Sequence, residues 1–237
     1  MGRILTRLKA RGVLREPVWS AVSKRKGDRR QRKYATRKPK GYKIREAGDM
    51  VQVDTVDVRP IPGTVFKQFT ARDVISKWDV CGVASRATAR AAASFLDELE
   101  ERMPFQIKAI QVDGGSEFKA QFEEECEKRQ IRLFVLPPRS PKLNGCVERA
   151  NRTHKEEFYE VYHMTYTVAG IRAAQRRWEK IYNTVRPHQA LEYLTPLEYL
   201  QQHGLSTERR SCHERTERVH LLDKKHKVCY YDNRRTQ

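Results

Sequence analysis

The sequence predicts an α/β domain whose centre is a mixed sheet of five strands. Three segments rich in β-branched residues follow one another between positions 49 and 85, and two shorter apolar segments come later, each preceded by a helical pattern. No run of about 18 apolar residues occurs, which argues against a membrane-spanning chain. A length of 237 residues is enough for one such domain with appendages.

The first three strands are expected to form an antiparallel meander. Residues 50–58 alternate in polarity and are β-branched, and Pro60 and the Pro62-Gly63 pair end this strand. Residues 64–73 and 77–85 carry the same kind of pattern and follow through short connections. Sequential strands joined in this way usually pair with one another.

Helices and strands alternate after the meander. Thr88 is expected to cap a helix, residues 106–113 to form a strand that ends at Gly114-Gly115, and Ser116 to cap the next helix. Residues 131–136 form the fifth strand of this prediction. Three strands, then helix, strand, helix, strand and helix, is the element order of a ribonuclease-H-like domain.

A proline-rich loop and the helix after it organise the rest of the chain. Three prolines between 137 and 141 predict an exposed loop over 137–145, with a helix starting at Asn144 or Gly145. Steps of three and four predict a core-facing stripe of Val147, Ala150, His154, Phe158 and Val161. The other stripe is polar and is expected to face a cleft or solvent: Glu148, Asn151, Arg152, Lys155 and Tyr159. Taken alone, such a stripe is more typical of an ordinary solvated helix face.

The remaining helices complete the predicted organisation. Thr167 is expected to cap a helix, and Thr195-Pro196 to start a short final one. Residues 2–12 predict a short basic helix, which is either the last helix of a helix-turn-helix or a frayed end. We divide the chain into a possible helix-turn-helix remnant (1–14), a basic linker (15–46), a core (47–165), its helical extension (166–203) and a basic tail (204–237).

Positive charge is concentrated at the N-terminus. Residues 1–46 contain 17 Lys/Arg and 3 Asp/Glu, a net charge of +14 out of +18 for the whole chain. Such an arm suits a polyanion, most simply nucleic acid, although a solubilising tail has the same composition. The arm has no apolar face of useful length, so a membrane surface is disfavoured. Its candidate phosphate contacts are Lys24, Arg25, Arg29 and Arg30.

The five cysteines are scattered and form no Cys-x-x-Cys pair. This pattern indicates reduced thiols without a disulfide or zinc framework. No secretory signal is recognisable, so we expect a cytoplasmic protein.

Three acids stand where the predicted fold could bring them together. Asp54 lies in the first strand, Asp113 at the end of the fourth, and Glu148 in the first turns of the helix after the proline loop. Two carboxylates about 4 Å apart repel each other by about 4 kcal/mol at an effective dielectric near 20, and a cation would relieve this. Oxygen ligands select Mg²⁺ or Mn²⁺, and a pair of such ions suits phosphoryl transfer. Asp57 and Asp73 are also strand acids, which this reasoning alone does not rank below Asp54.

Four stretches resemble the integrase catalytic core of bacterial insertion-sequence transposases, relatives of retroviral integrases that use an Asp-Asp-Glu triad. The stretches are residues 51–54, the run Asp113-Gly-Gly-Ser-Glu-Phe118, the block 136–153 and the run 182–190. The similarity covers roughly residues 47–202, and the block 136–153 is its most specific part.

The resemblance implies a ribonuclease-H-like fold and metal-dependent cutting and joining of DNA ends. It implies that Asp54, Asp113 and Glu148 are catalytic and hold Mg²⁺ or Mn²⁺, with two ions expected. The residues expected by position to contact the element's terminal DNA are Arg139, Lys142, Arg152 and Lys155. Chemistry on two DNA ends further implies a homo-oligomer on DNA. The resemblance also implies a bacterial protein that is located at the nucleoid when it is bound to DNA.

Three departures from the family pattern leave alternatives open. Thirty-four residues separate Asp113 from Glu148, about one fewer than is common, and a loop tolerates such a change. Gly114 replaces the more usual asparagine. Relatives usually begin with complete helix-turn-helix domains, whereas only one short helix is predicted here. A truncated, non-catalytic DNA-binding protein and a general nuclease of the same fold therefore remain as alternatives.

Overall fold

The computed structural model describes residues 6–8, 10–13, 34–137 and 143–204. Its strands are β1 Val51–Ile61, β2 Thr64–Asp73, β3 Asp79–Ala84, β4 Ala109–Val112 and β5 Arg132–Val135. The helices of the domain are α1 Ala89–Arg102, α2 Gln121–Lys128, α3 Gly145–Thr153, α4 Val168–Thr184 and α5 Pro196–Gln202. No helix in these ranges has the length and apolar character that crossing a bilayer requires.

The five strands form one mixed sheet in the order β3-β2-β1-β4-β5. The meander β1-β2-β3 is antiparallel, whereas β4 runs parallel to both β1 and β5. Both parallel connections carry helices, as a crossover between parallel strands requires. The predicted sheet and its flanking helices are confirmed.

Helices cover both faces of the sheet. On one face α1 buries Phe95, Leu96 and Leu99, and the Phe95 ring lies 5.5 Å from that of Phe69 in β2. This helix begins where predicted, because the Thr88 side chain accepts a hydrogen bond from the Ala91 amide. On the other face α4 packs Trp178, Tyr182 and their neighbours in a second apolar cluster. The side chains of even-numbered residues in β1, such as Gln52 and Asp54, share this second face because strand residues alternate in direction.

A π-helical turn, His154–Tyr159, continues α3 and corrects the predicted stripes. The Glu160 amide bonds to the Lys155 carbonyl, five residues back, so each turn holds more residues than in an α-helix. Phe158 is buried as predicted, but Val161 is 63% exposed. The polar stripe was predicted to face a cleft or solvent; the Tyr159 hydroxyl donates to Gln68 in β2, so this side chain packs against the sheet and does not face solvent.

The connection after β4 also differs from the prediction. Ser116–Phe118 is a short 3₁₀ turn, and α2 starts only at Gln121, so Ser116 does not cap it. Phe118 is buried against Phe122, with ring centroids 5.2 Å apart, and the chain turns between them at Ala120 with a φ of 50°. This tertiary packing separates the turn from the helix.

Part of the predicted basic linker lies against the sheet. The Thr36 amide donates to the Leu133 carbonyl and the Val135 amide donates to the Thr36 carbonyl, each at 2.9 Å. The Tyr34 hydroxyl donates to the Ile131 carbonyl at 2.8 Å. These contacts cover the edge of β5, which would otherwise offer unpaired backbone groups. The domain boundaries themselves stay predictions.

Candidate active site

The sheet places Asp54 and Asp113 side by side. β1 and β4 are adjacent and parallel, and Val53 is paired with Val112, so the residue after each valine is an aspartate at the same level of the sheet. Asp54 is partly buried within β1, whereas Asp113 follows the last residue of β4 and is exposed. Their juxtaposition follows directly from the strand order.

Two buried glutamines fix the helix that carries Glu148. The side chains of Gln52 and Gln111 both donate to the Leu143 carbonyl, at 2.9 and 2.7 Å. Gln52 Oε1 accepts from the backbone amides of Cys146 and Val147, each at 3.1 Å. These amides belong to the first turn of α3, where no intrahelical acceptor is available. The glutamines therefore tie the start of α3 to the two strands that carry the aspartates.

The sequence carries a signal for this anchor, which the predictions above did not use. Gln-Val-Asp occurs twice, at 52–54 and 111–113, and each copy places a glutamine two residues before a proposed catalytic aspartate. Residues two apart in a strand share a face, so each glutamine lies on the side of the sheet that receives α3.

Asn151 makes a second connection, which was not predicted from the sequence. Its Nδ2 donates to Asp54 Oδ2 at 2.9 Å, one helical turn after Glu148. Its Oδ1 is buried and has no hydrogen-bond partner within the described residues. Asn151 thus orients the Asp54 carboxylate and leaves a buried acceptor beside it.

The pKa of Asp54 responds to the neighbouring carboxylates. It is raised to about 6, first by burial and then by the negative charges of Asp113, Glu148 and Glu117, while the hydrogen bond from the Thr55 amide lowers it. Three acids predicted from sequence therefore share one electrostatic environment. Glu117, in the 3₁₀ turn, is a fourth acid that the prediction did not include.

The other two strand acids have different surroundings from Asp54. Asp57 forms an exposed ion pair with Lys67. Asp73 is buried and accepts hydrogen bonds from the Gly48 amide at 2.9 Å and from the Ser76 amide and hydroxyl. Both acids have structural partners, so the geometry singles out Asp54.

Of the predicted DNA contacts, the structure describes Arg152 and Lys155. Both are exposed on the helix that continues from Glu148, and Arg152 pairs with Glu156 at 2.7 Å. An exposed pair of this kind is weak, so Arg152 can exchange its partner for a phosphate. The other predicted contacts lie outside the described residues: Arg139, Lys142, Lys24, Arg25, Arg29 and Arg30.

A buried cluster of Asp79, Cys81 and His154 has the residue types of a metal site, with ligand atoms within 4.8 Å of one another. Trp178 Nε1 donates to His154 Nδ1 at 2.8 Å, so the ring proton belongs on Nε2. Nε2 lies 3.3 Å from Asp79 Oδ2 and 3.4 Å from Cys81 Sγ. A protonated nitrogen donates hydrogen bonds and does not ligate a metal. The cluster therefore fits a hydrogen-bonded network that ties β3 to α4.

Comparisons with known proteins agree on the class of this domain. Residues 129–196 match the family model described as integrase core domain. The chain is also 30% identical, over 144 residues, to the insertion element IS407 uncharacterized 31.7 kDa protein of Burkholderia multivorans. That match covers 59% of this chain and 48% of the relative, so the chain spans about half the length of the curated relative.

Solved structures show the same fold. The catalytic core domain of BIV integrase superposes with a TM-score of 0.51 and 23% identity, covering 65% of this chain and 95% of that chain. The HTLV-2 integrase catalytic core domain in complex with magnesium gives a TM-score of 0.51 and 16% identity, covering 63% and 94%. The resemblance to integrase cores and the ribonuclease-H-like fold are confirmed.

Proposed function

We propose that this chain is the catalytic core of an insertion-sequence transposase, which cuts DNA at the element ends and joins them to target DNA. The observation that carries the proposal is the grouping of Asp54, Asp113 and Glu148 where β1, β4 and α3 meet. In cutting, a water oxygen bonds to phosphorus and the bond to the 3′ oxygen breaks. In joining, the freed 3′ hydroxyl attacks a target phosphodiester and displaces its 3′ oxygen.

The residues at this position fit divalent cations. The donors are all oxygens, which Mg²⁺ and Mn²⁺ prefer. Burial and then like-charge repulsion raise the pKa of Asp54, and a cation would relieve the repulsion. Among the described residues, the buried Asn151 Oδ1 has no donor, and water bound to a cation would provide one. Asp54, Asp113 and Glu148 would hold the ions, which supply charge neutralisation to the attacking and leaving oxygens when bound.

Residues of the chain are proposed to position the carboxylates and the DNA. Gln52 and Gln111 hold the helix of Glu148, and Asn151 orients Asp54. Arg152 and Lys155 are proposed to bind phosphates beside the carboxylates, together with Lys142, Arg139 and the basic arm. A reaction of this kind gains most of its rate from positioning and charge stabilisation. DNA and a second copy of the chain are the proposed partners, in the bacterial cytoplasm.

The test is cleavage and joining of labelled duplexes that carry the DNA flanking the coding sequence, with Mg²⁺ or Mn²⁺. Glu148→Gln keeps the shape of the side chain and removes its charge, and Glu160→Gln is the control, since Glu160 is exposed beyond the π-helical turn. We expect activity in the wild type and in Glu160→Gln and none in Glu148→Gln. Equal activity in all three proteins would refute the triad, and cutting without joining would indicate a nuclease.

A truncated, non-catalytic DNA-binding protein is the second candidate. The match covers 48% of the curated relative, so the similarity to that relative does not by itself supply evidence of catalysis by this chain. This candidate predicts that wild type and Glu148→Gln bind DNA equally and that neither cuts it. Any cation-dependent cutting that Glu148→Gln lacks would exclude it.

A further inference from the structure

We infer that Glu117 is a fourth carboxylate ligand, which shares with Asp113 one of the divalent cations of the proposed active site. The inference rests on the proposed function and adds a residue to it. Glu117 lies in the 3₁₀ turn Ser116–Phe118, directly after β4. The turn is fixed because Phe118 is 1% exposed and packs against Phe122.

Asp113 and Glu117 place their carboxylates around the same glycine. If Gly115 carried a Cβ atom, it would lie 2.8 Å from Glu117 Oε2 and 2.9 Å from Asp113 Oδ1. The two carboxylate oxygens therefore converge over the same backbone position. The Gly115 amide donates to Asp113 Oδ1 at 2.8 Å, which holds that carboxylate at the turn. Glycine at 115 leaves the room that both carboxylates occupy.

The charge of Glu117 also sets it apart from other acids of the chain. In a chain of net charge +18, several acids elsewhere in the described part have basic partners. Asp57 pairs with Lys67, Glu125 with Lys128, and Glu156 with Arg152. Within the described residues no ion pair or hydrogen bond to a basic side chain holds Glu117, and its carboxylate lies beside that of Asp113.

An unsatisfied polar atom lies beside Asp54, another acid of the proposed site. Asn151 Oδ1 is buried without a donor in the described part of the chain, although the Nδ2 of the same amide bonds to Asp54. Buried acceptors without partners are rare in folded proteins. Hydrated cations among the four carboxylates would bring donors to this oxygen, which an acidic surface alone would not.

The test is Mn²⁺ binding to the full chain without DNA, measured by calorimetry and by electron paramagnetic resonance. Glu117→Gln is compared with Glu101→Gln, an identical charge change on an exposed residue of α1. We expect Glu117→Gln to weaken the affinity by about tenfold or more, the loss seen when groups around a metal are removed, with Glu101→Gln near the wild type. Glu117→Asp, which keeps the charge, should recover part of the affinity.

An unchanged affinity in Glu117→Gln would overturn the inference, and so would an equal loss in both glutamine variants, which would mean a general charge effect. Glu148→Gln separates this inference from the proposed function. If Glu148→Gln abolishes DNA cleavage while Glu117→Gln binds Mn²⁺ normally, the transposase proposal stands and the role of Glu117 is wrong. Because the Glu117 side chain is partly exposed, its replacement should leave the thermal midpoint unchanged.

Discussion

Replacing Asn151 by alanine should impair the site without unfolding the protein. The change removes the hydrogen bond from Nδ2 to Asp54 Oδ2, which is 2.9 Å long and has a carboxylate as its acceptor. Hydrogen bonds to charged groups contribute about 1.5–3 kcal/mol. If this energy positions Asp54 for the reaction, the cleavage rate should fall by about ten- to a hundredfold.

The assay is single-turnover cleavage of a labelled duplex across a range of Mn²⁺ concentrations, together with thermal unfolding. Asn183→Ala is the matched control, because Asn183 bonds the backbone of Asp79 at 2.8 and 2.9 Å and lies in the buried network. Asn183→Ala should lower the unfolding temperature and leave the rate of the folded fraction close to the wild type. Asn151→Ala should lower the cleavage rate and leave the unfolding temperature close to the wild type. A wild-type rate for Asn151→Ala would refute the role of this amide in orienting Asp54.

Three further predictions follow from other parts of the structure. Gln52→Ala removes the acceptor for two amides of α3, so we expect the free energy of unfolding in urea to fall by about 1–3 kcal/mol and cleavage to be lost. An active, fully stable variant would contradict the role of Gln52 in holding α3. Burial, and then the charges of Arg72 and Arg186, lower the pKa of His188 to about 4, so the folded state keeps this ring neutral. The neutral His188 ring therefore contributes stability above pH 6.5, and this contribution is lost as the pH falls towards 4. Allowing for solvent screening, the loss of stability between pH 7.5 and 5 should be smaller in His188→Gln by about 1–2 kcal/mol. An unchanged pH dependence in this variant would contradict the prediction. Deleting residues 1–33 leaves the hydrogen bonds of Tyr34 and Thr36 intact. The slope of the logarithm of DNA affinity against the logarithm of salt concentration should become shallower by about 0.9 for each phosphate that the arm neutralises. An unchanged slope would show that the arm does not bind DNA.

Local signals predicted the elements well. Thr88 and Thr167 cap their helices as expected, and Thr195 forms a capping box before Pro196. Each of these features depends on residues within one helical turn, which the sequence displays directly. The strand order followed from the same local elements, because connection rules leave few arrangements open.

The supporting residues of the candidate site were harder to predict because their partners are distant in sequence. Gln52 reaches Cys146, and Asn151 reaches Asp54, across more than ninety positions. Helical periodicity placed Asn151 on the correct polar stripe but could not indicate its partner. The π-helical turn and the 3₁₀ turn were missed for a related reason, since packing by Phe158 and Phe118 overrides local helix preference.

The backbone contacts of Leu136 and Leu143 show where the chain can change in length without disturbing the candidate site. The Leu136 amide donates to the Val112 carbonyl at 2.9 Å, and the Leu143 carbonyl accepts from Gln111 at 2.7 Å. Both ends are thus held by β4, the strand that precedes Asp113. A residue gained or lost between these two attachment points leaves both contacts in place, so Glu148 keeps its position. The number of residues between the second and third acids can therefore differ among related chains while the carboxylates stay where β4 and α3 hold them.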